Sequence, residues 1–171
     1  MKVNIFDFPV GSVRLTGDAS MAANLGCIAS QDGNVYRLVK ANGSIATPAG
    51  KTMTAGYNST GKDWSVNIPT SPQLPCDGVI PNDYGSTTIA TGSYFWIQIS
   101  GIVTTLAGTT TIVYGVNLTS IVYANTSGQV ALFTAVSEPA TVLAATIGLA
   151  LNTAVCTAVG DKIKMQITGL I

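Results

Sequence analysis

The chain contains no histidine, and this absence excludes several kinds of chemistry at once. Histidine is the commonest general base near neutral pH and a frequent metal ligand. Serine and cysteine hydrolase arrangements that rely on histidine are therefore excluded. The three cysteines, Cys27, Cys76 and Cys156, form no CxxC pair, so no zinc site is predicted. We expect them to be small buried apolar side chains in a reducing compartment.

Charged residues are also scarce. They make up only 9% of the chain, whereas a typical soluble domain carries about 25%. The net charge is zero, which gives no electrostatic reason to expect nucleic acid or an anionic membrane as a partner. Between Asp83 and Asp161 the only charged side chain is Glu138. A segment so poor in charge is either strongly buried or covered by other protein surfaces, and it predicts a homo-oligomer.

Motifs for catalysis and cofactor binding are missing as well. The sequence contains no nucleotide-binding glycine motif and no EF-hand spacing. A glycosidase needs two carboxylates with opposed roles. The candidates are Asp18, Asp32, Asp63, Asp77, Asp83, Glu138 and Asp161. All of these except Glu138 stand beside residues such as Gly, Asn or Lys, where Asp normally caps a helix or forms a turn. We therefore predict that the protein is not an enzyme, with no catalytic residues, no cofactor and no metal.

No export signal or membrane span is predicted. Asp7 and Pro9 interrupt any apolar signal core at the N-terminus. Residues 140–159 carry no charge and are long enough to cross a bilayer as a helix. This window is rich in Thr and has no basic residue on its N-terminal side. Thr-rich strands explain it better than a transmembrane helix.

Strict alternation of apolar and polar residues is the main local pattern, and it predicts an all-β fold. Residues 13–16, 64–68 and 162–168 each predict a strand with one solvent-facing side. Residues 94–100 are largely apolar on both faces, so this strand should be covered on both sides. Further strands, rich in Val, Ile and Thr, are predicted at residues 35–40, 110–116, 120–124 and 129–136.

Helix signals are few, and two segments look irregular. Asp18 is a candidate cap for a short helix over residues 19–25, and residues 141–151 are a candidate second helix. Residues 1–11 predict an extended N-terminal arm, because Pro9 and Gly11 follow its two phenylalanines. Residues 12–91 predict a β-rich region with a Pro-rich linker near 69–92. Residues 92–171 predict a C-terminal β-barrel or β-sandwich.

Five aromatic side chains are candidate interface residues: Phe6, Phe8, Trp64, Tyr94 and Trp96. The arm that carries the two phenylalanines is too short to bury its rings alone, so it must dock on its own body or on a neighbour. A platform for stacking nucleic-acid bases needs nearby basic residues, and none lies between Lys62 and Lys162. Packing in a core or a subunit interface is therefore the better interpretation.

Three stretches together resemble one known family. DGNVYRLVKA at residues 32–41 resembles an early hairpin of small head proteins of tailed bacteriophages. YFWIQISG at residues 94–101 resembles one of their strands, and residues 147–150 with 160–165 are similar to their ending. These relatives are the capsid cement, or decoration, proteins. The resemblance implies a β-rich virion protein, often trimeric, that binds outside the shell where capsomers meet, in several cases with an N-terminal arm.

The expected function is therefore that of a decoration protein that stabilises the phage head by bridging major capsid subunits. A partner that binds only the assembled lattice stabilises that lattice by mass action. The expected partners are further copies of the chain, forming a trimer, and the major capsid protein. The expected location is the capsid surface, after synthesis in the host cytoplasm. Two alternatives stay open: a head-fibre or tail-associated host-binding β-protein, and a secreted carbohydrate-binding module.

Overall fold

The computed structural model describes residues 8–15, 17–58, 61–70, 76–108, 121–124, 128–132, 146–151 and 156–167. The chain is mostly β, as predicted, and contains a closed five-stranded barrel and few short helices. The described elements are α1 (Ala19–Ala22), β1 (Ile28–Gln31), β2 (Asn34–Ala41), β3 (Thr52–Asn58), β4 (Gly61–Asn67), β5 (Gly78–Val79), a 3-10 turn (Asn82–Tyr84), β6 (Tyr94–Leu106), β7 (Ile121–Ala124), β8 (Val130–Leu132), β9 (Thr146–Ala150) and β10 (Lys162–Ile167).

The barrel closes because β6 pairs back onto β2 at the end of the strand order β2-β4-β3-β5-β6. The β2–β4 pair is parallel, and the other four pairs are antiparallel. Successive side chains of a strand point to opposite faces, so one alternate set fills the interior. All five strands or their immediate flanks contribute to that core, which comprises Val39, Ala41, Ile45, Met53, Ala55, Val66, Ile80, Tyr84, Ile89, Phe95, Ile97 and Ile99.

Strand β6 is 13 residues long and continues beyond the barrel. Its first half pairs with β2, and the half from Gly101 to Leu106 pairs with β10. Strands β9, β7 and β8 follow β10 in a second antiparallel sheet. That sheet has its own apolar cluster, which includes Val103, Cys156 and Met165. Strand β6 begins just after the predicted domain boundary near residue 92. It nevertheless forms part of both sheets.

Part of the segment near residues 69–92, which was predicted as a linker, forms a buried strand of the barrel. Residues 71–75 lie outside the described residues, but Gly78–Val79 forms β5 between β3 and β6. Val79 and Ile80 are completely buried. Gly78 is needed there because a Cβ would lie 2.8 Å from the carbonyl oxygen of Gln98. A strand of two residues is too short to show the alternation of apolar and polar side chains. The surrounding prolines therefore led to the prediction of a linker.

Most of the other predicted strands are present. Residues 35–40, 64–68, 94–100 and 162–168 correspond to β2, β4, β6 and β10, and residues 120–124 and 129–136 overlap β7 and β8. Residues 110–116 lie outside the described part of the chain. One expectation was wrong: residues 13–15 form a single bridge, Arg14 to Tyr94, rather than a strand. In the window 140–159, the described residues 146–150 form the strand β9, which agrees with the preferred interpretation as strands and not with the candidate helix at 141–151.

Helix α1 confirms the predicted cap, because the Asp18 side chain accepts hydrogen bonds from the backbone N–H groups of Ser20 and Met21. The helix is shorter than predicted and ends at Ala22. Among the described residues, no helix has both the length and the apolar character needed to cross a bilayer.

The junction at Gly101 provides a test of this architecture. Gly101 has φ +99°, and a Cβ there would collide with Oδ1 of Asn34. Gly160 has a similar φ of +93° but open space around it. We expect Gly160→Ala to cost about 1–2 kcal/mol of unfolding free energy from the backbone conformation alone. Gly101→Ala should cost about 1–3 kcal/mol more, because the collision is added. Equal losses in urea unfolding would contradict the close packing at this junction.

Candidate interaction surface

The N-terminal segment 8–15 is fastened to the outside of the barrel. Phe8 is 3% exposed, and its carbonyl oxygen accepts a hydrogen bond of 2.8 Å from Nε1 of Trp96. The two rings lie 5.9 Å apart between centroids. Arg14 exchanges backbone hydrogen bonds of 3.0 and 2.8 Å with Tyr94. The segment therefore docks on its own body, which is one of the two possibilities that its sequence left open.

Local chemistry explains the path of this segment. The N–H of Ser12 donates to the carbonyl of Pro9 at 3.2 Å, which closes a turn. Gly11 has φ +89°, and a Cβ on it would lie 2.8 Å from Cβ of Asp83, so a larger residue fits neither the conformation nor the space. The Arg14 guanidinium lies 5.7 Å from the centroid of the Phe8 ring, within the range of a cation–π contact.

The structure brings together three of the five predicted interface residues. Phe8, Tyr94 and Trp96 share one buried cluster with Met21, Tyr36 and Leu38. Their contact surfaces are thus covered by the chain's own residues. Phe6 lies outside the described residues.

Trp64 lies apart from that cluster and packs against the barrel core. The Arg37 guanidinium stacks over its ring at 4.2 Å. Arg37 is on the same face of β2 as Val39 and is only 8% exposed. A cationic side chain is therefore largely buried beside Trp64. Burial lowers the pKa of Arg37, and the charge of Asp77 acts in the opposite direction. Sequence patterning missed this cation, because a strand arginine is normally assigned to the solvent face.

Tyr84 was also missed, because the glycines and prolines around it predicted a linker. Its hydroxyl accepts a hydrogen bond of 2.8 Å from the backbone N–H of Trp96. Its ring meets Phe95 edge-on, with 6.1 Å between centroids. Burial raises the pKa of Tyr84 above its ordinary value. Tyr84 thus supports the backbone of the residue that holds the N-terminal segment.

Two depressions flank Tyr36 on the outside of the barrel, and together with β1 we call this area the Tyr36 face. The first, of about 140 Å³, lies between residues 8–10 and the β1 residues 29–31. The second, of about 200 Å³, is lined mainly by polar residues around Gln98 and Asp83. Among the described strands, β1 lies at an edge of the sheet, the position at which a further strand can pair.

An exposed apolar side chain lies at the second depression, where Ile102 is 54% exposed. Ile28 in β1 is also 52% exposed, but it lies opposite Arg37 and therefore on the other face of the sheet from Tyr36. The β1–β2 connection is a tight turn in which Asp32 and Gly33 both have positive φ, 51° and 77°. Such turns hold the two strands in a fixed register, so the position of this edge is well defined. The Tyr36 face combines an open strand edge with apolar and polar contact groups.

Within the described part of the chain, no group of three or more Cys, Asp or Glu side chains is arranged to hold a metal ion.

Comparison with known proteins finds similarity at the level of the fold. No protein-family model and no curated protein matches the sequence. The fold is similar to the solved structure of the N base of the head fibre gp8.5 in bacteriophage phi29. The TM-score is 0.50 with 12% sequence identity, and the match covers 79% of this chain and 94% of the other. At this identity the likeness is one of fold.

The buried phenol of Tyr84 should make stability depend on alkaline pH. Because burial raises its pKa, the unfolded chain releases this proton first, near the ordinary pKa of about 10. The stabilisation from the protonated phenol is therefore complete below about pH 10 and is lost as the pH rises toward the folded-state pKa. We expect Tyr84 to lower the free energy of unfolding by up to about 1.4 kcal/mol per pH unit above pH 10.

The variant Tyr84→Phe isolates the part of this pH dependence that comes from the Tyr84 phenol. At pH 7 the variant should lose about 1–3 kcal/mol, because the Trp96 N–H is left without its acceptor. Above pH 10 the difference from wild type should shrink in urea unfolding. Tyr36→Phe is the matched control, since it keeps Tyr84 and should retain that part of the pH dependence. A constant difference between wild type and Tyr84→Phe from pH 7 to 11 would show that Tyr84 is not the group responsible.

Proposed function

We propose that this protein is a non-enzymatic structural protein of a tailed-phage head. The observation that carries the proposal is the fold likeness to the N base of a phage head fibre, which extends over most of both chains. The sequence resemblance to head decoration proteins points in the same direction independently of the fold. The low content of charged residues suits a protein whose surface is covered in an assembly.

As a decoration protein, the chain would bind the outer capsid surface and bridge neighbouring major capsid subunits. Since it would bind only the assembled lattice, each bound copy would stabilise the head by mass action. The Tyr36 face supports this role, because it offers the edge of β1 and the exposed side chain of Ile102.

The second candidate is the base of a head fibre, and the name of the structural neighbour favours it. The two roles differ in what removal of the protein does to the particle. Loss of a decoration protein lowers the stability of the shell itself. Loss of a fibre base leaves the shell intact but removes whatever the base carries.

Mass spectrometry of purified virions tests the shared proposal. We expect the chain in the particle, in fixed proportion to the major capsid protein. Its absence from purified virions would overturn a head role. Heating particles made without the protein then separates the candidates, because only loss of a decoration protein should lower the temperature at which the shell opens.

We further propose that the free protein is a homo-oligomer, with a trimer as the expected state. The charge-poor stretch between Asp83 and Asp161 and a net charge of zero leave little repulsion between copies. We expect sedimentation and light scattering to give about three times the monomer mass at micromolar concentration. A stable monomer under these conditions would contradict the proposal.

We propose that residues 1–7, the part of the predicted arm 1–11 that precedes the docked segment 8–15, strengthen attachment to the head or to a neighbouring copy. We expect deletion of residues 1–7 to weaken attachment while the chain still folds, because the contacts of Phe8 with Trp96 and of Arg14 with Tyr94 remain. Burial of one Phe6 ring against a partner contributes roughly 1.5–3 kcal/mol, which corresponds to at least about tenfold in affinity. Unchanged binding to heads that lack the protein would contradict this role of the arm.

A chain that begins at Ser12 is the matched control. It also loses Phe8, which is buried against Trp96. We expect this longer deletion to lower the free energy of unfolding by roughly 1.5–3 kcal/mol. Urea unfolding and head binding of the two deletions therefore distinguish the contribution of residues 8–11 to stability from the contribution of residues 1–7 to attachment.

A further inference from the structure

The bend that follows β2 contains the single Asn-Gly pair of the sequence, Asn42 and Gly43. Strand β2 ends at Ala41, so both residues of the pair lie outside any strand. The Asn42 side chain is exposed to solvent. A glycine after an asparagine has a chemical consequence, because no Cβ restricts the approach of the glycine nitrogen to the neighbouring side-chain amide. The pair is therefore a candidate for a reaction between backbone and side chain.

The hydrogen bonds of this bend leave the reacting groups unengaged. The N–H of Asn42 donates to the carbonyl of Val66 at 2.9 Å, which fixes the start of the bend. Within the described part of the chain, the N–H of Gly43 donates to no acceptor, and the side-chain amide of Asn42 has no hydrogen-bond partner. The Gly43 nitrogen can therefore lose its proton and move without first breaking a hydrogen bond.

Asn34 differs from Asn42 in each of these respects. It belongs to β2, and its Oδ1 accepts hydrogen bonds from Nε2 of Gln98 at 3.1 Å and from the N–H of Ile102 at 3.2 Å. The residue that follows it is Val35, whose branched Cβ crowds the backbone nitrogen. The amide of Asn34 is held in place, so this residue serves as an internal control.

We propose that Asn42 and Gly43 form a site of spontaneous deamidation in the folded protein. The Gly43 nitrogen loses its proton to hydroxide and attacks Cγ of Asn42. The C–N bond of the side-chain amide breaks, and the leaving NH₂ group takes a proton from water and departs as ammonia. Water then opens the resulting cyclic succinimide at either carbonyl, which gives aspartate or isoaspartate. The inference is independent of the proposed role in a phage head.

The isoaspartate product should disturb the end of the barrel. Asn42 is tied to Val66, and Ile45 exchanges backbone hydrogen bonds of 2.9 and 3.0 Å with Ile89. Ile45 is only 2% exposed and belongs to the barrel core. Isoaspartate inserts an additional carbon atom into the backbone between these two attachments, so one of them has to shift. Aspartate adds a charge at an exposed position but no backbone atom, and it should leave both attachments in place.

Peptide mapping by mass spectrometry tests the reaction on the full-length protein, incubated at physiological temperature and mildly alkaline pH. We expect the peptide with Asn42 to gain the mass difference between an amide and an acid, at a rate that rises with pH. The peptide with Asn34 should stay unchanged. A parallel incubation in urea gives the rate in the unfolded chain. Conversion of Asn42 only in urea, or no conversion at all, would overturn the proposal.

Gly43→Ala tests the role of the glycine. The added Cβ would lie 3.2 Å from Oδ1 of Asn67, which is the end of a flexible side chain and can shift, so this variant should fold. We expect its deamidation to be several-fold slower, because the Cβ hinders the approach of the nitrogen to Cγ of Asn42. Deamidation as fast as in the wild type would contradict the proposed attack by the Gly43 nitrogen.

Asn42→Asp separates the effect of the new charge from that of the longer backbone. Its urea midpoint should match that of freshly purified wild-type protein. The isoaspartate form, isolated from incubated wild-type protein by ion-exchange chromatography, should unfold at a lower urea concentration. Equal midpoints for the isoaspartate form and Asn42→Asp would show that the additional backbone atom does not disturb the attachment of Ile45.

Discussion

The architecture depends on one strand, β6, which has to belong to two sheets in succession. Its first half closes the barrel against β2, and its second half carries β10 and the strands beyond it. In the barrel half both faces are buried, with Phe95 and Ile97 inside and Trp96 outside. A single strand can serve both sheets only if its backbone turns between them. Gly101 makes that turn, because only glycine tolerates both its φ and the approach of Asn34.

The outer face of β6 explains why the N-terminal segment is part of the body. Closure of the barrel pairs the strand edges, but it leaves Trp96 on the outside, where a bare indole would expose a large apolar surface. Phe8 covers that ring and also provides the acceptor for its N–H, from 88 positions earlier in the chain. Tyr84 supports the backbone of the same residue. One tryptophan therefore joins the N-terminal segment, the 3-10 turn and the barrel.

The sequence predicted most of the long strands, although it missed the seven-residue strand β3. It also failed where structure depends on distant partners. Strands β2, β6 and β10 each run for at least six residues with an apolar set on one face. Strand β5 has two residues, and only closure of the barrel makes it a strand. Nothing in the sequence indicated that Arg37 is buried, because a local pattern cannot register that Trp64 stacks on it. The second depression on the Tyr36 face is formed by β2, β6 and the 3-10 turn. These elements lie far apart in sequence, so no local motif indicates the depression.

The same packing restricts where a partner can contact this chain. Phe8, Tyr94 and Trp96 are used within the chain, so on the described residues a partner would meet mainly uncharged polar groups, the β1 edge and isolated apolar side chains such as Ile28. Contacts of this kind depend little on ionic strength, because few of them are charge pairs. Each contact would also be weak, because an edge strand and single apolar side chains bury little area. Useful affinity would then require several copies bound together, which is the condition that an oligomer on a repeating lattice meets.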